Sequence, residues 1–155
     1  MEKKEFQRCS DLLSEAIEVN PDNAYLWVNL GACQMQLGKT NDVIVSISKA
    51  VELMPQRGPF RVQLAQLLEK ENRLDEAEKH FRRLLTLEPD NPVVHFWLAE
   101  FLVKHRPAAA DEALKEAQIA FELPAKGGLK KQDIKKLIEK IQSQKDGKTA
   151  LGLLK

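Results

Sequence analysis

Apolar residues recur along this chain with a period of 34 residues. Leu30, Leu64 and Leu98 are separated by that distance, and the residue after each of them is small. Prolines keep the same period, at Pro21, Pro55 and Pro89. Within each unit the apolar positions fall three and four residues apart, a spacing that gives a helix one apolar face. Such a repeat predicts helix pairs that bury their apolar faces on one another.

The pattern inside the units predicts eight helices. They are expected at about 3–19, 23–37, 41–54, 57–70, 73–87, 91–105, 109–122 and 129–144. A proline just after the second helix of a pair stops that helix. The pairs Asp22-Asn23 and Asp90-Asn91 offer caps for the helices that follow them. Gly31, Ala65 and Ala99 are small enough to let the axes of paired helices approach closely.

These residues resemble the tetratricopeptide repeat family. The family pattern is Trp, two residues, Leu-Gly, two residues, Tyr, and later Ala, three residues, Phe and Pro. The first unit keeps Trp27 and the Leu-Gly after it, with Gln34 where Tyr is usual. Arg61 and His95 stand in the place of the Trp in the second and third units. The resemblance covers about residues 5–124.

The resemblance implies an all-α fold, a right-handed superhelical solenoid of helix-turn-helix repeats with a C-terminal capping helix. One repeat domain would occupy residues 1–144. Its parts are a half repeat at 3–21, full repeats at about 24–57, 58–91 and 92–124, and a capping helix at 129–144. Residues 145–155 are expected to form a flexible tail.

The resemblance also implies a scaffold that binds a peptide or helical segment of another protein in a concave groove. The groove residues carried over from the family are Tyr25, Val28, Asn29, Ala32, Met35, Val62, Gln63, Gln66, Val93, Phe96, Trp97 and Glu100. Asn29 matches the family asparagine that grips a peptide backbone, and Phe96 and Trp97 offer aromatic anchors. The basic cluster with which some family members hold acidic chaperone C-termini is missing here.

Charge is unevenly placed along the chain. Residues 1–123 carry 15 basic and 20 acidic side chains, whereas residues 124–155 carry nine Lys and three acids. We interpret the basic end as a solvated cap. Nucleic acid is the weaker alternative, with Arg82, Arg83 and the last helix as candidate phosphate contacts, and we expect no nucleic-acid partner. We also expect no membrane partner, because the longest apolar stretch, 93–103, is too short to span a bilayer.

No pattern in the sequence points to catalysis. The Gly-Lys-Thr at 38–40 lacks the first Gly of a phosphate loop. The three histidines lie on different helices with no carboxylate placed to form a ligand set, so no metal, no cofactor and no enzyme activity are expected. Cys9 and Cys33 are expected to be free buried thiols, which favours a reducing compartment and a cytoplasmic location.

The N-terminal half unit leaves two alternatives open. Phe6, Leu12, Leu13 and Ile17 form an apolar stripe whose usual partner helix is missing. The chain is therefore a fragment of a longer array or a homodimer through the N-terminal half repeat. A self-assembling structural module, or an accessory array of a larger enzyme or assembly machine, is the alternative to the binding scaffold.

Overall fold

The computed structural model describes the backbone of residues 2–152 and the side chains of residues 3–146. This described part contains eight α-helices and no strand. The helices are α1 (Glu2–Val19), α2 (Ala24–Gln36), α3 (Thr40–Leu53), α4 (Gly58–Lys70), α5 (Leu74–Leu87), α6 (Pro92–His105), α7 (Ala110–Glu122) and α8 (Lys131–Gly152). The predicted all-α repeat of helix pairs is confirmed.

The seven helices before α8 match their predicted bounds closely, and the last one does not. It runs on to Gly152, beyond the predicted end of the capping helix at residue 144 and into the segment predicted as a tail. An ion pair between Lys145 on α8 and Asp111 on α7 lies in this extension. The remaining tail, residues 153–155, lies outside the described residues.

The third unit is two residues longer than the others. One of these residues extends α6 to His105, and the other lengthens the connection to α7, which contains a single turn of 3₁₀ helix at Pro107–Ala109. Because the insertion ends before Ala110, α7 keeps the register of a second helix of the repeat. Its Ala113, Ala117 and Ala120 are all buried.

The chain divides into two compact units, Met1–His80 and Phe81–Lys155. In the first unit α2 pairs with α3, α1 packs on α2, and α4 packs on α3. The close approach predicted at Gly31 is confirmed, because a Cβ placed there would lie 3.0 Å from Cδ1 of Ile47. Val43, Ile47 and Ala50 of α3 are buried in this core.

In the second unit α6 pairs with α7, and α8 packs on α7. Leu98, Ala99 and Leu102 of α6 are fully buried. The ring of Phe81, from the last turns of α5, packs 5.3 Å from the ring of Phe101, measured between centroids. On α8 the side chains of Ile134, Leu137 and Ile141 share one apolar face and are buried, which is what a capping helix requires.

The predicted helix caps are confirmed. The side-chain oxygen of Asn23 accepts from the backbone N–H of Tyr25 at 3.1 Å, and that of Asn91 accepts from Val93 N–H at 3.1 Å. Each bond satisfies one of the N–H groups that a helix leaves unpaired in its first turn.

The two cysteines form a disulfide, and the expectation of free thiols was wrong. Cys9 on α1 and Cys33 on α2 have Cα atoms 6.2 Å apart and sulfur atoms 1.97 Å apart. This Cα separation is within the range that a disulfide needs, and packing of α1 on α2 sets it. The inference of a reducing compartment, and of the cytoplasm, rested on free thiols and loses that support.

Candidate binding groove

A pocket of about 490 Å³ lies in the first unit between the two first helices of successive repeats, α2 and α4, with α3 beneath them. Its volume is typical of sites that hold a ligand group. The lining residues are Val28, Gly31, Ala32, Met35, Gln36, Gly38, Thr40, Val43, Ile47, Gln63, Gln66, Leu67 and Lys70.

The pocket brings together five of the groove residues predicted in this unit, namely Val28, Ala32, Met35, Gln63 and Gln66. The structure does not place Tyr25, Asn29 or Val62 in its lining. Asn29 is exposed on the same helix. The ring of Tyr25 packs edge-on against Phe60 of α4, with centroids 5.5 Å apart, and therefore joins the two helices near their N-terminal ends.

Large apolar side chains stay exposed along this face. Met35 is 55% exposed and Tyr25 is 49% exposed, although most apolar residues of the unit are buried. Met is flexible and polarisable, and it suits surfaces that pack against a partner's apolar groups. The pocket therefore offers apolar area that no described residue covers.

The polar part of the lining is almost uncharged. Gln36, Gln63 and Gln66 are exposed and contribute side-chain amides, each of which donates and accepts hydrogen bonds. Lys70 is the one ionised side chain among the lining residues, and no carboxylate is among them.

The groove residues predicted in the second unit are less open. Val93, Phe96 and Trp97 are half-buried, and only Glu100 is exposed. Gly127, in the loop before α8, packs against Val93, since a Cβ at Gly127 would lie 3.0 Å from Val93 Cγ2. This loop therefore already covers part of a side chain that the sequence assigned to the groove.

The residue at the family's Trp position donates the same hydrogen bond in all three repeats. Its acceptor is the carbonyl of the proline six places earlier. The bonds join Trp27 Nε1 to Pro21 O at 2.7 Å, Arg61 Nη2 to Pro55 O at 2.8 Å, and His95 Nε2 to Pro89 O at 2.7 Å. Three different side chains thus tie the inter-repeat turn to the helix that follows it.

Arg61 and His95 each make a second bond, to the second helix of their repeat. Arg61 Nη1 lies 3.2 Å from His80 Nδ1, which must accept, because a guanidinium only donates. His95 Nδ1 lies 2.6 Å from Glu116 Oε2, and both side chains are buried. Burial, and next the charge of Arg61, lower the pKa of His80 below its ordinary value of 6.5.

Glu116 is the residue that the sequence argument missed. Carboxylates on highly charged helices normally face solvent, but this one is 7% exposed. One signal pointed to it. Glu116 lies one 34-residue period plus the two inserted residues after His80. His80 and Glu116 therefore occupy the same position of the repeat, in units where another residue replaces the Trp. In the first repeat that place holds Ser46, whose hydroxyl donates to Gln34 Oε1 at 2.8 Å.

The candidate phosphate contact Arg82 is engaged within the second unit. Its guanidinium forms two bonds to the carboxylate of Glu112, at 2.5 and 3.1 Å. Among the described residues no group of three or more His, Cys, Asp or Glu side chains converges on a possible metal position. None of the described helices combines the length and the hydrophobicity that crossing a bilayer requires.

The N-terminal stripe is largely covered by its own unit. Ile17 is buried and Phe6 and Leu13 are half-buried, while Leu12 is 54% exposed. The homodimer through this half repeat stays a prediction.

Two models of the tetratricopeptide repeat match the chain, one over residues 12–44 and the other over residues 59–101. The chain belongs to the tetratricopeptide repeat family. Proteins of this family are generally protein-interaction scaffolds.

Relatives and solved structures agree with that assignment. Human protein O-mannosyl-transferase TMTC3 is 28% identical over 74% of this chain, and the protein STIP1 homolog of Dictyostelium discoideum is 31% identical over 57% of it. The chain spans only 14% and 16% of those two proteins. A structure of MamA (MSR-1) matches with a TM-score of 0.60 at 28% identity, covering 76% of this chain and 66% of that one. Another MamA structure, with a TM-score of 0.67 at 16% identity, covers 96% and 93%, and its likeness shows the fold alone.

Proposed function

We propose that this tetratricopeptide repeat chain binds a segment of another protein in the pocket between α2 and α4, without catalysing a reaction. The observation that carries the proposal is the combination of an apolar floor, exposed Met35 and a rim of side-chain amides in one pocket. Apolar area anchors a partner's side chains, and amides bond to a peptide backbone whatever its sequence.

The remaining predicted groove residues belong to the proposal as secondary contacts. Exposed Asn29 is close in sequence to the pocket, and in the second unit Phe96, Trp97 and Glu100 hold the corresponding positions of α6. An accessory role beside an enzyme is the second candidate, and the likeness to an O-mannosyl-transferase, of which this chain spans 14%, favours it. In that case too, the pocket would hold a protein segment.

A displayed library of random 12-residue peptides tests the proposal. We expect enriched peptides to lose binding when Ala32→Tyr fills the pocket, because Ala32 is exposed and lines it. The matched control is Val45→Tyr, which adds the same side chain at a 65% exposed position of α3 outside the lining. Peptides that survive Ala32→Tyr, or a library that yields no specific binder, would show that the pocket is not the binding site.

A further inference from the structure

The pocket between α2 and α4 also carries a signal about the charge of its ligand. Its floor is apolar, formed by Val28, Val43, Ile47 and Leu67 among others, while its rim is neutral except at one position. That position is Lys70, the last residue of α4. The distribution therefore separates a neutral apolar part of the pocket from a part that has one positive charge.

Lys70 is available to a ligand. It is exposed, and no hydrogen bond or ion pair connects it to another described residue. Its sequence neighbours Glu69 and Glu71 are acidic, but neither of them lines the pocket. A group bound in the pocket therefore meets the ammonium of Lys70 and meets no carboxylate.

The equivalent position one period earlier shows that this charge is not a general feature of the repeat. Gln36, the last residue of α2, stands 34 residues before Lys70 and lines the same pocket with a neutral amide. The two helix ends therefore offer hydrogen bonding on one side and a positive charge on the other.

We infer that the pocket selects a partner segment in which large apolar side chains stand next to an Asp or Glu side chain. This inference rests on the proposed function and names its ligand class. The apolar side chains fill the floor, and the neighbouring carboxylate pairs with Lys70. A basic residue in that place would face a like charge with no compensating acid in the lining, which opposes binding.

Three fluorescein-labelled peptides test the inference by fluorescence polarisation against the whole chain. Each has a central Leu-Leu-Phe, an amidated C-terminus and Gly-Ser ends, and its two flanking positions are both Asp, both Asn or both Lys. We expect the Asp peptide to bind tightest and the Lys peptide weakest. An exposed pair of this kind changes affinity by roughly two- to fivefold for each step. The order is expected to flatten in 0.5 M salt, since salt screens exposed charges.

The decisive experiment reverses the charge of Lys70 in the pocket. In Lys70→Glu the order should invert, so that the Lys peptide binds tighter than the Asp peptide, while the Asn peptide changes little. The matched control is Lys79→Glu, which reverses a charge at an exposed position of α5 outside the lining and should leave the order unchanged. A fourth peptide, with Asn flanks and a free C-terminus, tests a terminal carboxylate as the source of the charge.

The outcomes separate this inference from the proposed function. An order that Lys70→Glu does not alter, or a preference only for the free C-terminus, overturns the inference, while loss of binding in Ala32→Tyr still supports the pocket. Binding of all peptides that survives Ala32→Tyr overturns the pocket itself. If none of the peptides binds, the apolar-acidic ligand class is wrong, and the random library then decides separately whether the pocket binds other segments.

Discussion

The buried pair of His95 and Glu116 allows the sharpest test of the packing described here. His95 Nε2 donates to the carbonyl of Pro89, and its Nδ1 makes the hydrogen bond to Glu116. The side chains are only 7% and 9% exposed. Removing one partner of such a pair leaves the other buried without compensation.

We expect the two single substitutions to differ in their effect. His95→Leu strands a carboxylate, which costs about 3–5 kcal/mol of the free energy of unfolding. Glu116→Leu leaves Nδ1 of His95 without that partner while Nε2 still donates to Pro89, and a buried polar atom left unsatisfied costs about 1–3 kcal/mol. The double variant replaces both groups with apolar ones and should cost only about 1 kcal/mol. The coupling between the sites is then at least about 3 kcal/mol.

Urea unfolding followed by helical circular dichroism measures the free energy of unfolding of the native chain, the two single variants and the double variant. The matched control is the pair Arg82–Glu112, which joins α5 to the same helix α7 but has side chains 44% and 36% exposed. Its removal should cost less than about 1 kcal/mol. If the two Leu substitutions were additive, or if His95→Leu cost no more than the exposed control, the assignment of a coupled buried pair would be refuted.

Three further predictions concern the first unit. Replacing Cys9 and Cys33 by Ser should lower the free energy of unfolding by about 3 kcal/mol, because the disulfide closes a loop across a separation of 24 residues. A reductant should destabilise the native chain by the same amount. Midpoints of urea unfolding measure both effects. The lowered pKa of His80 means that the unfolded chain binds its proton more readily, so this contribution to stability is full above pH 6.5 and is lost as the pH falls through the folded-state pKa. His80→Gln should flatten the unfolding free energy across that range, with no effect of pH above it. Gly31→Leu should cost about 1–3 kcal/mol by overpacking against α3, measured by thermal unfolding, and a stability equal to the native chain would contradict the close approach.

The helices could be predicted because their signals are local. Asn23 caps α2 through a bond to a residue two places away, so the cap does not depend on the rest of the fold. Gly31 indicates that α2 and α3 pack closely, because the repeat places α3 opposite this small residue. The end of α8 could not be read in this way. No apolar stripe continues past Ile141, yet the described helix extends to Gly152. Lys145 in this extension pairs with Asp111 on α7, a contact between two helices that the local pattern of α8 does not reveal.

The disulfide and the pocket depend on how helices pack, which local patterns do not contain. Cys9 lies in a half unit with no complete repeat to compare, so its distance from Cys33 follows only once α1 is placed on α2. Of the predicted groove residues, Ala32 and Met35 line this pocket, on the stretch of α2 that faces α4 across it.

The variation at the Trp position shows how the repeat tolerates substitution. Trp27 needs only one partner, because an indole has a single N–H and the proline carbonyl satisfies it. Arg61 and His95 make the same bond but bring a further polar atom into the interior, and burial of that atom demands a second partner. His80 and Glu116 supply it from equivalent places in the second helices. The Trp of the family pattern therefore combines a turn-fixing hydrogen bond with apolar packing, and both of its replacements in this chain have a polar partner on the second helix.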